Sequence, residues 1–421
     1  MSVTYPQYAL SFPSEKEPAA SLPLLELCQM PKLLLPLPAR DTADGEPQAH
    51  PALSVETYDT VTRGQALTNG EQPLYASVTG IVAGQKTLTH PLYGDVEYVE
   101  LDALTLNEDE PAPADVFTLS AKDILEACRN AAIVDELDGT LLFDKLQALA
   151  ENPPALLVAD AVDDQPYGSA GIATLRAFGS LCADGLMLAA KAIGAADYTV
   201  LLRADKPTLK EIATLLPKGR LTADRHDVYP HHTVFKKRSD VCIGIQACLA
   251  LYRACAFGER QNSLIVTVAG DAVSLPSNVI VPNGTPLSEV FSLCGLIEEP
   301  AFYVLGDSFT GVAVDSDELP ILFPTTCVLA MKKPKEAAVH ACIGCGRCAA
   351  VCHKHLLPYE IARRVENRQF RLLPSLSPRD CDGCNACSVV CPANRHVADL
   401  VRQGTEESLR VMLHWGVHEY E

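Results

Sequence analysis

The residues whose types and spacing most directly suggest chemistry are eight cysteines between positions 342 and 391. Three thiolates separated by two residues each can bind three irons of one iron–sulfur cube, and a fourth cysteine three residues further on reaches a second cube. The pattern C-x2-C-x2-C-x3-C occurs twice, so we predict two [4Fe–4S] clusters with crossed ligands. Cluster 1 is assigned Cys342, Cys345, Cys348 and Cys391, and cluster 2 is assigned Cys381, Cys384, Cys387 and Cys352.

Zinc is the alternative occupant of a four-cysteine site. Zinc sites usually draw on paired C-x2-C hooks separated by longer spacers, which two uninterrupted four-cysteine runs fit poorly. Glycines inside the runs, such as Gly344 and Gly383, leave backbone amides free to hydrogen-bond sulfur. Because cysteine fills every ligand position, no iron is open to a substrate, and the expected chemistry is transfer of single electrons. His353 takes the position after the first run that Pro392 takes after the second. We expect its side chain at the surface; the alternatives are that it loosens the turn or serves as an outer-shell donor.

Composition excludes several other classes of function. The 421 residues carry 34 Lys+Arg against 53 Asp+Glu, and a net charge of −19 disfavours binding to a nucleic-acid backbone. A membrane span requires about 18 uncharged apolar residues. The nearest approach, at residues 22–37, is interrupted by Glu26 and Lys32. The first residues also lack the pattern of a secretory signal. We therefore expect a cytoplasmic protein with reduced thiols, with peripheral association at the cytoplasmic face of the membrane as a further option.

The rest of the chain divides into segments that differ in amino-acid composition and in predicted secondary structure. Its length predicts several domains. Residues 1–50 are rich in proline and polar residues and predict a docking arm. Short β-branched runs with glycine turns predict a β module at 51–102 that resembles lipoyl or barrel-sandwich domains. Its expected hairpin tip at 76–80 has no lysine to carry a cofactor. The other predicted segments are an α/β domain at 117–258, a β-grasp module at 259–334, the dicluster domain at 335–400 and a helical tail at 401–421.

Strand and helix patterns alternate through the α/β domain. Apolar runs at 155–158 and 198–202 predict strands, while 121–131, 173–193 and a stretch from Pro207 predict helices. Strands that alternate with helices indicate βαβ units and a parallel sheet, whose ligand site lies at the carboxyl ends of the strands. The predicted fold class is therefore a multidomain α/β protein.

This order of segments resembles the RnfC-type subunits of ion-pumping ferredoxin:NAD oxidoreductase complexes, which are related to the NADH- and flavin-binding subunit of respiratory complex I. The likeness covers about residues 52–400, with the best local matches at 266–270, 283–286, 306–314 and 343–348. The resemblance implies a Rossmann-like α/β domain related to the complex I NADH-binding subunit. It also implies an SLBB-like β-grasp module and a C-terminal dicluster ferredoxin-like α domain.

The sequence departs from this family where the family binds nucleotides. Flavin-binding members carry a loop of the type GLGGAGFP, in which glycines let backbone amides approach phosphate. The corresponding residues 133–143 keep one glycine among carboxylates, which repel phosphate. The family's NGAECEPY loop corresponds to 160–167, and its YPQGGEK segment, at 229–232, also lacks glycine. We predict that direct NADH and FMN binding is lost. The alternative is a degenerate flavin site at Gly139, Asp160, Asp163, Gln165 and Tyr167.

The carboxylate-rich loops resemble a branch of the family associated with D-proline reductase, the PrdC type, in amino-acid-fermenting anaerobes. The resemblance implies redox protein partners, either an Rnf-type complex or a reductase such as proline reductase. We predict an electron-transfer subunit of an oxidoreductase rather than a stand-alone enzyme. Two alternatives stay open: an NADH:acceptor oxidoreductase subunit that binds FMN, and a structural adaptor of a membrane-associated Rnf-type complex.

Two further groups of residues are candidates for function. Cys248 and Cys255 share a face of a helix expected over 240–255, and with Cys242 they form a possible thiol relay. The simpler interpretation is that these cysteines are small buried apolar residues. The most basic patch, at 231–238, is interpreted either as a docking site for an acidic partner or a nucleotide phosphate, or as a solvated loop.

Overall fold

The computed structural model describes residues 14–27, 31–37, 40–41, 47–48, 53–69, 73–105, 112–224, 229, 240–334 and 337–415. The N-terminal segment, predicted as a docking arm, supplies strands to two different sheets. Leu25 lies opposite Val279 in a parallel pair with the later β-grasp sheet, and Leu33 lies opposite Leu101 in an antiparallel pair with the β module. Its strands are β1 (Leu25–Glu26), β2 (Lys32–Pro36), β3 (Arg40–Asp41) and β4 (Pro47–Gln48).

The β module is an antiparallel sheet around a small apolar core. It adds β5 (Thr60–Val61), β6 (Thr79–His90) and β7 (Gly94–Thr105), in the order β2-β7-β6-β5. Two strands of 12 residues replace the short runs expected from the sequence, because the alternation of side chains continues from Thr79 to His90. The hairpin tip therefore lies at 91–93 rather than at 76–80, and it carries Leu92 and Tyr93, both exposed.

The α/β domain contains the parallel sheet that the sequence predicts. Its four strands pair in the order β10-β9-β8-β11, all parallel, with helices packed around them. Helix α1 begins with a capping box between Ser120 and Asp123, which satisfies orphan N–H groups of its first turn. The elements are α1 (Ala121–Ala131), α2 (Leu142–Glu151), β8 (Leu156–Asp160), α3 (Ala170–Ile193), β9 (Asp197–Leu202), α4 (Lys206–Leu215), β10 (Leu221–Ala223), β11 (Asp240–Gly244) and α5 (Ile245–Phe257).

The core of this domain forms where α3 and α5 cross. A Cβ atom on Gly185 of α3 would lie 1.9 Å from the carbonyl oxygen of Cys248 in α5, so only glycine permits this approach. By length and composition, α3 is the one helix in the described residues that could cross a membrane. Sequence inspection missed it and pointed to residues 22–37. Most of its apolar window is buried inside the domain, as expected for a core helix.

The segment predicted as a β-grasp module, residues 259–334, is built on a mixed sheet, and we keep that name for it below. Strands β12 and β13 form an antiparallel pair, with Val266 opposite Val279, and α6 covers one face through Phe291. The sheet order is β1-β13-β12-β18-β15-β16, and β14 pairs with β17. The elements are β12 (Ser263–Ala269), β13 (Ser277–Pro282), β14 (Thr285–Pro286), α6 (Leu287–Cys294), β15 (Phe302–Leu305), β16 (Val312–Val314), β17 (Pro320–Ile321) and β18 (Cys327–Met331).

The C-terminal cysteine segment folds into short helices packed on one longer helix. Helix α8 ends at Glu366 and buries Ile361, Ala362 and Val365, so it contributes to the core of this segment. The elements are α7 (Arg347–Val351), α8 (Pro358–Glu366), α9 (Ala386–Val389) and α10 (Val397–Trp415).

Candidate functional site

Each cysteine run wraps into a loop followed by a short helix. Gly346 and Asn385 both have left-handed backbones, with φ of 73° and 59°, and they begin α7 and α9 respectively. Asparagine is one of the few non-glycine residues that tolerate this conformation, so the second loop keeps the same shape without glycine at that position. The repeated spacing therefore yields two similar loops.

The first group of cysteines, which we name cluster site 1, consists of Cys342, Cys345, Cys348 and Cys391. All four line one small cavity, together with Tyr359 and Arg395. Cys348 is buried, whereas Cys342 and Cys345 are exposed. Burial raises the pKa of the Cys348 thiol, and backbone N–H groups of Tyr359 and Ala349 act in the opposite direction by donating to its sulfur.

The second group, cluster site 2, consists of Cys352, Cys381, Cys384 and Cys387. Burial raises the pKa of Cys384 to about 12, with the neighbouring Asp382, Cys381 and Cys352 acting in the same direction. The pKa of Cys387 is raised by burial and then by neighbouring thiols, Cys352 among them. Cys352 therefore lies close to Cys381, Cys384 and Cys387 of the second run.

The residues at both sites fit an iron–sulfur cluster. Each site offers four sulfur ligands, three from one run and one from the other, which is the crossed arrangement expected of paired [4Fe–4S] clusters. Backbone N–H groups also point at sulfur, from Gly383 to Cys381 and from Ala386 to Cys384. Such donors stabilise thiolates and tune the potential of a cluster.

His353 does not lie at the surface as we expected. Its ring is buried, and Nε2 lies 2.5 Å from Oδ2 of Asp382, inside the loop between Cys381 and Cys384. The histidine that follows the first run therefore braces the loop of the second run. The group His353, Asp382 and Cys384 also brings three potential metal ligands within 4.8 Å of one another.

A cleft of ≈ 790 Å³ lies beside cluster site 2, where the α/β domain, the β-grasp module and the cysteine segment meet. Asp160, Asp163 and Gln165, three of the five residues predicted for a degenerate flavin site, line this cleft. Tyr167 packs instead near Leu329 in a small apolar cluster. A Cβ on Gly139 would meet the Pro324 ring at 3.4 Å. Only part of the predicted set is therefore brought together.

The N-terminus of α5 is occupied by the chain's own carboxylate. Glu136 accepts N–H hydrogen bonds from Gln246 at 2.6 Å and from Ala247 at 3.0 Å, while Asp135 accepts one from Gly244 at 3.0 Å. Helix N-termini are the usual sites for phosphate groups in α/β folds. Burial, followed by the charge of Asp135, raises the pKa of Glu136 to about 8, and the backbone donors oppose this shift.

The N-terminus of α3 carries a second internal carboxylate. Asp163 accepts an N–H hydrogen bond from Gly171 at 3.1 Å and another from Ile172. Burial raises the pKa of Asp163, while the charge of Lys16 from the N-terminal segment lowers it. At both helices that point into the cleft, an acidic side chain of this protein thus accepts hydrogen bonds from the N-terminal N–H groups.

The cleft is strongly acidic, and of its seven carboxylates sequence analysis predicted only Asp160 and Asp163 as site residues, so that Asp307 was among the five it missed. Burial and the neighbouring Asp164 and Asp163 raise the pKa of Asp307 to about 7. Its place in a turn of the β-grasp module gave no local motif that would link it to the α/β domain. The acidic lining residues are Glu136, Asp138, Asp160, Asp163, Asp164, Asp307 and Asp382.

Polar contacts join the cleft wall to cluster site 2. The Tyr229 hydroxyl donates to the carbonyl oxygen of Cys384 at 2.6 Å, and its ring lies edge-on to Phe309 at 5.0 Å. Gln165 accepts from the Phe309 N–H at 2.8 Å and donates to Thr310 at 3.0 Å. The cysteine segment is therefore held directly against both neighbouring modules.

Two of the three cysteines considered for a thiol relay, Cys248 and Cys255, lie in the core of the α/β domain. Cys248 and Cys255 are buried in α5, and burial raises the pKa of Cys255 to about 11 and that of Cys248 well above its usual value. Cys242 lies on β11 rather than on that helix, because the helix begins at Ile245. These features favour the apolar role over a thiol relay. The basic patch at 231–238 lies outside the described residues.

Comparison with known proteins agrees with this geometry. Residues 341–403 match the family described as 4Fe-4S dicluster domain, so the chain is a protein with an iron–sulfur domain of that class. The C subunit of the ion-translocating oxidoreductase complex of Rhodobacter capsulatus is 26% identical over 378 residues, covering 81% of this chain and 71% of that protein. The chain is homologous to the C subunits of Rnf complexes over most of its length.

Other relatives match shorter parts of this chain. The C subunit of the Methanosarcina acetivorans ion-translocating oxidoreductase complex is 36% identical over 215 residues, which is 49% of this chain and 46% of that protein. The C subunit of the proton-translocating ferredoxin:NAD(+) oxidoreductase complex of Clostridium ljungdahlii is 22% identical, covering 72% of this chain and 73% of that protein. Among solved structures, an NAD+-reducing [NiFe]-hydrogenase in the H2-reduced state is 14% identical over 71% of this chain and 62% of that one, with a TM-score of 0.45.

Proposed function

We propose that this chain is an electron-transfer subunit that holds two [4Fe–4S] clusters and passes single electrons between a donor and an acceptor reductase complex. The observation that carries the proposal is the crossed grouping of cysteines, in which Cys391 lines the cavity of the first run and Cys352 lies with the second. The clusters supply the one-electron chemistry. The chain supplies their thiolates, their backbone donors and their separation from solvent.

The two cluster sites differ in exposure, which supports different roles for them. Cluster site 1 has exposed cysteines, and the neighbouring Ile343 and Val339 side chains are 69% and 59% exposed. An apolar, accessible loop beside a redox centre suits contact with another protein. Cluster site 2 instead faces the acidic cleft through Cys384. We infer that a redox partner docks at cluster site 1.

We infer that direct NADH and FMN binding is lost. The support is the pair of internal carboxylates, Glu136 and Asp163, that hold the N-terminal amides of α5 and α3. A nucleotide phosphate would have to displace both carboxylates and then lie among several more, at a considerable electrostatic cost. A second candidate function, an FMN-dependent NADH:acceptor oxidoreductase subunit, is favoured by the ≈ 790 Å³ cleft beside Cys384.

The partners proposed for the chain follow from its relatives and its loops. Relatives over most of the chain are subunits of Rnf-type complexes, so we propose a partner in such a complex or in a reductase such as D-proline reductase. The carboxylate-rich loops at 135–139 and 160–167 support the branch associated with proline reductase. In either case the subunit works in the cytoplasm, with peripheral attachment at the cytoplasmic face of the membrane in an Rnf-type assembly.

Anaerobic purification followed by iron, sulfide and flavin analysis tests the proposal. We expect about eight irons per chain, as two cubes of four require, no bound FMN and no NADH–viologen activity. Stoichiometric FMN together with NADH oxidation would support the second candidate function instead. Protein that contains zinc and no iron would contradict both.

Substitution of single cysteines tests the ligand assignment. In the Cys345→Ser variant, and separately in Cys384→Ser, we expect iron to fall from about eight to about four per chain because one cube loses a ligand. The matched control is Cys294→Ser, at a buried cysteine of the β-grasp core, which should keep all its iron. Unchanged iron in both ligand variants would show that the assignment is wrong.

A further inference from the structure

A second cavity, of ≈ 300 Å³, lies where the N-terminal segment, the β module, the α/β domain and the β-grasp module meet. It is separated from the acidic cleft by Gln246, whose side chain lines both spaces. The Gln246 amide donates to the carbonyl oxygen of Ile265 at 2.9 Å and accepts from its N–H at 2.8 Å. This double hydrogen bond makes a fixed partition, so we name the second space the junction cavity.

The junction cavity has a positive wall. Arg63, Arg253 and Arg260 line it, and they come from the β module, from α5 and from the loop after α5. Arg63 and Arg253 share one carboxylate, that of Glu259, with N–O distances of 3.2 and 2.8 Å. With Glu26 counted as well, three guanidinium groups face two carboxylates, in a chain whose overall charge is −19.

Arg260 is the cation with the greatest capacity for a ligand. Its guanidinium lies 3.7 Å from the centre of the Tyr75 ring, and within the described residues it forms no ion pair. A guanidinium stacked on a ring keeps its in-plane N–H donors available, and their fork geometry matches a carboxylate. The stacking also fixes the position of these donors in advance, which lowers the entropy cost of binding.

Half of the residues that line the junction cavity are apolar. Helix α3 loses regular helical geometry at Phe178, where φ is −134° and ψ is 24°, and this residue lines the cavity. The lining thus combines polar groups with apolar surface, as a site for a small amphipathic molecule requires, and the volume lies at the lower end of the range for small-molecule sites. The apolar lining residues are Leu27, Val78, Phe178, Leu249, Ala250, Leu264, Ile265, Ile280 and Pro282.

We propose that the junction cavity binds a small carboxylic acid with an apolar body. The carboxylate is held by the Arg260 fork, next to the Arg63–Glu259–Arg253 network, and the carbon skeleton lies against Phe178 and the neighbouring aliphatic side chains. Because its walls come from four segments, the bound acid links the N-terminal segment to the three folded modules. This site is independent of the cluster sites and of any nucleotide.

Calorimetric titration of the anaerobic, full-length holoprotein tests the proposal, with hexanoate and phenylacetate as probes. We expect saturable binding of at least one of these acids, and at least tenfold weaker binding of the matching neutral amide, hexanamide or phenylacetamide. Inorganic phosphate, which has the charge without the apolar body, should also bind at least tenfold more weakly. Failure of both acids to bind, or equal binding of acid and amide, would overturn the proposal.

Variants locate the bound acid. Arg260→Gln should weaken binding at least tenfold, whereas Arg129→Gln should not change it, because Arg129 stacks on Phe143 at 4.1 Å in a similar way but outside the cavity. Ala250→Met, which fills the cavity without altering charge, should abolish binding while iron content stays constant. Unaltered binding in Arg260→Gln and Ala250→Met would place the acid elsewhere. Iron content and acid binding are measured separately. A failure of the electron-transfer proposal can therefore be distinguished from a failure of the acid-binding proposal.

Discussion

Arg395 is the charged side chain most directly placed to influence cluster site 1. Its guanidinium donates to the sulfur of Cys342 and forms an ion pair with Glu366, and its side chain is only 8% exposed. Hydrogen bonds to cluster sulfur and nearby positive charge both favour the reduced, more negative form of a cluster. Arg395 should therefore hold the potential of that centre above the value it would otherwise have.

We predict that Arg395→Gln lowers the midpoint potential of one of the two centres on the order of tens of millivolts, since charge and a sulfur hydrogen bond are both lost. A redox titration monitored by electron paramagnetic resonance measures this. Arg410→Gln serves as the control, because Arg410 is an exposed arginine paired with Glu407 far along α10. Equal potentials in the native protein and Arg395→Gln would contradict the role given to this residue.

At this scale the sequence was most informative where chemistry depends on spacing. The spacing of the two cysteine runs predicts their loops and the crossing of the fourth cysteine to the other run. The grouping of Cys342 with Cys391 was therefore expected from the sequence. Glu136 was recognised only as a carboxylate that repels phosphate. Its hydrogen bonds to Gln246 and Ala247 depend on two segments more than a hundred residues apart, which local patterns do not relate. The burial of His353 was missed for the same reason.

Among the secondary-structure elements, helices α3 and α5 pack closely against each other in the α/β domain. The contact depends on Gly185, where any side chain would collide with the backbone of Cys248. Gly179, on the same helix, has a looser environment, since a Cβ there would lie 3.0 Å from the Leu215 Cβ. The two glycines therefore form a matched pair for testing helix packing.

We predict that Gly185→Ala lowers the free energy of unfolding by about 1–3 kcal/mol or more, because the helices must separate to admit the methyl group. Gly179→Ala should be close to neutral, since the tighter contact is offset by the better helix propensity of alanine, worth about 1 kcal/mol. Chemical denaturation of both variants measures the difference. Equal effects would mean that the α3–α5 contact relaxes easily.

Helices and buried strands of the α/β domain were well anticipated because their apolar periodicity is strong and local. Helix α1 was predicted at its observed bounds, and the parallel sheet followed from the alternation of elements. Helix α2 was missed, because residues 133–143 were interpreted as one loop although Leu142 already begins a helix. The pairing of β1 with β13 was also missed, since a two-residue strand has no periodicity to detect.

Across the whole molecule, the acidic cleft couples stability to pH. The Asp307 carboxyl keeps its proton in the folded protein up to about pH 7, whereas in the unfolded chain it ionises above its ordinary pKa of 3.8. The folded state therefore binds more protons than the unfolded state between these values. Stability from this group is present at low pH and is lost as pH rises through about 7, with a slope of at most about 1.4 kcal/mol per pH unit.

We predict that Asp307→Asn reduces the fall in thermal stability of the holoprotein between about pH 5.5 and pH 7, because the amide cannot ionise. Anaerobic differential scanning calorimetry at several pH values measures this. Asp315→Asn, at an exposed aspartate of the same module, is the matched control and should follow the native curve. An Asp307→Asn curve parallel to the native one would remove Asp307 as a source of the pH dependence.

The parallel pairing of Leu25 with Val279 has a consequence for how the protein is made. During translation, β1 leaves the ribosome long before its neighbouring strand exists. At typical elongation speeds the delay is on the order of 10 to 50 seconds. The α/β domain between them has time to fold first, so the leading segment is captured last, across a surface that is already formed. Nascent chains stalled before that neighbouring strand emerges should therefore leave β1 open to protease.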